Sequence, residues 1–158
     1  MTPFAVFHAL ISLVGIAAGF VVVGGLLSGK RLDGWTSLFL ASTAATCVTG
    51  FLFPFHGFKP SYAVGVLTLL ALGLSYVARY RRHLAGGWRK AYVVGAMISL
   101  YFNVFVLIVQ SFMKIPALNA LAPTQTEPPF KIAQLTTLVL FVVVGAAATR
   151  TFRGEAAP

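Results

Sequence analysis

Five long apolar stretches, separated by short connections, dominate the chain. A helix needs about 20 consecutive, mainly apolar residues to cross a bilayer. The stretches run over about 4–27, 36–53, 61–78, 91–113 and 127–149, and each reads as a membrane-spanning helix. The second is the least apolar, because it holds Ser37, Ser42, Thr43, Thr46 and Thr49. A helical Ser or Thr bonds back to its own backbone, so such residues are tolerated, and they favour close helix packing. The expected fold is all-α: a five-transmembrane-helix bundle forming one domain over residues 1–158.

Residues at i, i+4, i+7 and i+11 share a helix face. That face reads His8, Ser12, Gly15, Gly19 in the first stretch and Ser42, Thr46, Thr49, Phe53 in the second, with His56 following if the helix survives Pro54. The fourth gives Tyr92, Gly95, Ser99, Asn103 and Gln110, and the fifth gives Gln134, Thr137, Phe141, Gly145. The third is broader, with Gly65, Thr68, Leu72 and Tyr76. The opposite faces are Leu, Val, Ile and Phe, so lipid is expected outside and small or polar residues inside. Gly15 and Gly19 form a pair through which two backbones approach closely. Asn103 and Gln110 are costly in hydrocarbon without a partner, so each needs an interhelical hydrogen bond or a ligand.

Composition agrees with the pattern. Charged residues make up 9% of the 158, hydrophobic residues 58%, and mean hydropathy is +0.88. A soluble domain carries roughly 25% charged residues. The net charge of +9 suggests nucleic acid, but its distribution excludes that partner: the basic residues flank the apolar stretches. Nine of them (Lys30, Arg31, Arg79, Arg81, Arg82, Arg89, Lys90, Arg150, Arg153) fall on one side and three (Lys59, Lys114, Lys131) on the other. The positive-inside rule then predicts an external N-terminus and a cytoplasmic C-terminus. The first stretch lacks a basic leader, and its charges follow it, which suits a retained helix rather than a signal peptide. Trp35, Tyr80 and Trp88 would sit at the cytoplasmic boundary. Ala, Gly and Arg usage points to a bacterial inner membrane. An odd number of spans gives no inverted repeat within one chain.

His8, Thr49, His56, Tyr62, Gln110 and Gln134 all fall near the expected outer ends of their helices. The connection over 114–126 holds Pro116 and Pro123 and covers that end, either as a lid or as a short surface helix with Ile115, Leu118 and Leu121 on one edge. Thr126 is expected to cap the last helix, with Pro128 and Pro129 in its first turn and Glu127 at the positive end of its dipole, between Lys114 and Lys131. The expected ligand-binding set is therefore His8, Thr49, His56, Asn103, Gln110, Glu127 and Gln134.

Little else carries chemistry. Asp33, Glu127 and Glu155 are the only acidic residues, which excludes paired-carboxylate catalysis and a carboxylate proton relay. Cys47 stands alone and reads as a packing residue. His8 and His56, on consecutive antiparallel helices, are the one pair able to hold haem b, with no second pair across the membrane to relay electrons. His83, among Arg79, Arg81 and Arg82, reads as part of a solvated headgroup-binding cluster. Three functional expectations follow. The first is a non-enzymatic protein with an outward pocket that binds or helps to transport a small or amphiphilic ligand. The second is an accessory subunit of a larger membrane complex or a homo-oligomer. The third is a haem- or quinone-linked redox protein. The second requires the inward polar groups to bond one another; the first requires a hollow between them.

Overall fold

The computed structural model describes residues 2–53 and 60–154. Among these the chain is helical, without strands. Helix α1 is Pro3–Leu27, α2 Asp33–Phe51, α3 Pro60–Tyr76, α4 Trp88–Lys114, α5 Pro116–Leu121 and α6 Pro128–Thr151. A π-helical turn, Val77–Arg81, extends α3. Four helices are long and apolar enough to cross a membrane: α1, α3 with its π turn, α4 and α6. Helix α2, at 19 residues, is long enough but less apolar, as its hydroxyl residues foretell. Those hydroxyls return to the helix's own carbonyls: Ser42 to Leu38, Thr46 to Ser42 and Thr49 to Ala45, at 2.6, 2.9 and 2.7 Å. This satisfies them without water.

His8, near the start of α1, meets Thr49, near the end of α2, so these helices are antiparallel. Helix α3 pairs with α4, and α4 also touches α1, α5 and α6. The contiguous apolar core gathers in one half of the bundle. It joins Val22 and Leu26 of α1, Phe39 of α2, Ala78, Leu84, the stretch of α4 from Tyr92 to Leu100, and Ala148 and Phe152. Helix α6 turns Ile132, Leu135, Val139, Val142 and Val143 outward. Exposed apolar side chains on long apolar helices are what an integral membrane protein presents to lipid.

The small residues work as close-approach points. A Cβ on Gly15 would meet the Ser42 and Thr43 hydroxyls at 3.1 and 3.2 Å, and one on Gly19 would meet Leu100 at 2.5 Å. Gly95 brings α4 against α3: a Cβ there would lie 2.7 Å from the Ala71 carbonyl oxygen and collide with the Ser75 hydroxyl.

Two local expectations are corrected. Arg79 is not part of a solvated cluster; it is 2% exposed and turned into the bundle. The π turn places it there: the Arg82 N–H reaches back five residues to the Val77 carbonyl at 2.9 Å. Thr126 does not cap α6. The helix begins at Pro128, Glu127 occupies the capping position in extended conformation, and its carboxylate turns back to the Thr124 and Thr126 N–H groups at 3.2 and 3.0 Å.

Candidate functional site

Four of the expected residues, His8, Thr49, Asn103 and Gln134, are held by direct bonds. His8 Nδ1 lies 2.8 Å from the Thr49 hydroxyl. Thr49 has a single hydroxyl proton, donated to the Ala45 carbonyl at 2.7 Å. Its oxygen is left as the acceptor, so His8 donates from Nδ1. The ring also stands edge-on to Phe53, with centroids 5.2 Å apart. Asn103, buried in α4, donates from Nδ2 to the Thr43 hydroxyl of α2 at 3.2 Å. Gln134 of α6 donates from Nε2 to the Phe105 carbonyl of α4 at 3.2 Å, and its Oε1 is buried with no hydrogen-bond partner among the described residues.

The remaining members lie apart from these bonds. Gln110 is half-buried on α4; the neighbouring Val109 carbonyl accepts Gln125 Nε2 at 3.0 Å, which ties the loop to α4. Glu127 forms no ion pair with Lys114 or Lys131. The Thr124 hydroxyl, at 2.8 Å, is the main cause that holds its carboxyl below the usual range, helped by the backbone N–H groups of Thr124 and Thr126. His56, and with it the His8–His56 haem pair, lies outside the described residues.

The Asn103 bond has a measurable consequence. Asn103→Leu removes it and is expected to lower stability by about 1 kcal/mol, the usual scale for a polar bond between membrane helices. Thr43→Val should lose a similar amount, and the double variant no more than either alone. Additive losses in an SDS-unfolding titration would show that the two side chains act separately.

The opposite end of the bundle holds a denser polar arrangement. Arg79 donates from Nη2 to an Asp33 carboxylate oxygen at the start of α2, and the same oxygen takes Arg31 Nε at 2.8 Å. The guanidinium stands 5.2 Å from the Tyr92 ring centroid and 5.7 Å from that of Tyr80. The Tyr92 hydroxyl pairs with Thr36 at 3.3 Å, and that of Tyr80 with Ser37 at 3.1 Å. A buried charge needs such compensation, from a carboxylate and from aromatic faces. The connection that follows is strained: His83 and Leu84 adopt φ of 49° and 59°. Burial of the Leu84 side chain in the core offsets that strain.

Two open surface hollows stand out among the described residues. One, of about 500 Å³, lies at the Arg79 end and is lined by Leu27, Ser28, Gly29, Arg150, Thr151 and Arg153. The other, of about 390 Å³, is an apolar cleft between α4 and α6, running past Met97, Tyr101, Phe141 and Gly145. Neither is lined by a residue of the expected ligand-binding set.

Sequence reasoning missed Arg79, Asp33 and Tyr92 as a unit. The signal was present: Thr68, Leu72, Ser75 and Arg79 stand at i, i+4, i+7 and i+11. Among the described residues no group of three His, Cys, Asp or Glu side chains is placed to hold a metal ion. In comparison with known proteins, no family model matches the chain, and no curated protein or solved structure matches it either.

Proposed function

We propose that the chain is a non-enzymatic, five-span protein of a bacterial inner membrane, acting as an accessory subunit that packs against other chains of a larger membrane complex. In this reading α2 is the fifth span, the N-terminus is external and the C-terminus cytoplasmic, following the nine-to-three division of basic residues. The observation that carries the reading is the direct pairing of the inward polar groups: His8 with Thr49, Asn103 with Thr43, Gln134 with the Phe105 carbonyl. Groups that close on one another serve packing rather than a ligand.

Helix α6 supplies the surface for a partner. Only 11% of its most apolar window is buried, against 28% to 44% in the other three spanning helices. One observation favours the outward-pocket reading instead, namely the buried Gln134 Oε1 without a partner.

The test is photo-crosslinking in native membranes from a reactive residue placed at Val139, on the exposed face of α6. The expected product is a discrete adduct between this chain and a different membrane protein. An adduct of two copies of this chain, or no protein adduct at all, would defeat the accessory-subunit reading.

A further inference from the structure

The Arg79 end carries more positive charge than its fold consumes. Arg79 is neutralised by Asp33, Arg82 stacks over Trp88 at 5.1 Å, and Arg89 donates to the Arg153 carbonyl at 3.0 Å. Arg150 and Arg153 are different. Their guanidinium groups make no hydrogen bond, ion pair or ring contact among the described residues, yet both line the 500 Å³ hollow beside the last turn of α1.

The ordinary reason for arginine at the end of a helix is to bond its free carbonyls and offset its dipole. Here neither guanidinium does so, and several of those carbonyls have other partners. Gly24 and Gly25 accept from the Ser28 and Lys30 N–H groups, and Leu26 accepts from Gly29 N–H and from the Thr151 hydroxyl at 3.0 Å. At the end of α6, Ala148 accepts from Phe152 N–H and Ala147 from the Thr151 hydroxyl. With no contact among the described residues, the two guanidinium groups are open to an external anion. Their planar forks match the oxygens of a phosphate group.

We infer that the hollow between the ends of α1 and α6 is a binding site for a phosphate-bearing anion, with Arg150 and Arg153 as its principal contacts, and that the anion is the headgroup of an acidic phospholipid. Two features favour the lipid over free phosphate. The hollow lies where helices apolar enough to span a membrane end, which is headgroup depth. Thr149, which directly precedes Arg150 in α6, also lines the apolar cleft between α4 and α6, a surface suited to an acyl chain. The inference stands independently of the accessory-subunit reading.

The experiment is a lipid titration of the purified full-length protein by native mass spectrometry, with phosphatidylglycerol and phosphatidylcholine as probes. Arg150→Gln with Arg153→Gln is expected to weaken phosphatidylglycerol binding by roughly tenfold or more. The control, Arg81→Gln with Lys90→Gln, removes the same charge from the same end outside the hollow, and should change binding by less than roughly threefold. Equal losses in both pairs would reduce the effect to general surface charge and overturn the site, as would no loss in the first pair.

Should the glutamine pair fail to fold, Arg150→Lys with Arg153→Lys keeps both charges and loses only the fork. A loss of at least roughly threefold is then expected, and unchanged binding overturns the proposal. Inorganic phosphate supplies the remaining arm. Binding of phosphate alone, abolished by the glutamine pair and without preference for phosphatidylglycerol over phosphatidylcholine, would overturn the lipid as the source of the anion.

Discussion

Gly95→Ala is expected to destabilise the bundle by about 3 kcal/mol, at the upper end of what an added methyl does in a packed interior. The new Cβ would lie 2.7 Å from the Ala71 carbonyl oxygen, which belongs to the α3 backbone and cannot rotate away. Relief requires α3 and α4 to separate, and that loosens the Ser75 and Tyr92 contacts along the same seam. Gly73→Ala is the matched control, because nothing stands within 4 Å of its Cβ position. It should leave stability within about 0.5 kcal/mol of the parent, or raise it slightly through helix propensity. The measurement is the SDS fraction at half-unfolding. A Gly95→Ala protein as stable as Gly73→Ala would show that the two helices do not approach as described.

The second large effect is expected from Asp33→Ala. Removal of one partner from a fully buried ion pair costs about 3–5 kcal/mol. Arg79 is buried but the Asp33 side chain is 66% exposed, so part of that penalty is screened. A loss of roughly 2 kcal/mol is expected. The diagnostic comparison is the double variant with Arg79→Met. Without the guanidinium no unpaired charge is left inside, so the double variant should be more stable than Asp33→Ala alone. If Asp33→Ala is indistinguishable from the parent, Arg79 is being satisfied by Tyr92 and Tyr80 without the carboxylate.

The inward faces of α1, α4 and α6 were legible because helical period alone decides them. Gly15, Gly19, Tyr92, Gly95, Ser99 and Asn103 are all buried, and Gln134, Thr137, Phe141 and Gly145 face the bundle. Which group bonds which was not legible, because that depends on how helices cross. The partner of Asn103 is Thr43, a residue the sequence offers only as one hydroxyl among several. Arg79 was misplaced for a different reason. Charges just beyond an apolar stretch are normally solvated, and that expectation outweighed the helical spacing that sets Arg79 on the face of Thr68, Leu72 and Ser75. At α6, Glu127 displaced Thr126 from the capping position because its carboxylate bonds back to Thr124 and Thr126.

The bond from the Thr151 hydroxyl to the Leu26 carbonyl joins residues 125 apart in sequence. Translation at about 5–20 residues per second separates their synthesis by roughly 6–25 s. Throughout that interval the last turn of α1 is closed only by the N–H groups of Ser28, Gly29 and Lys30 and by the Ser28 hydroxyl. Phe152, which seats against Tyr92 at 5.7 Å, arrives just as late. Biogenesis of this protein is thus a matter of holding an unfinished bundle in the bilayer until α6 emerges, and the helix that completes the core is the least buried of the four apolar spanning helices.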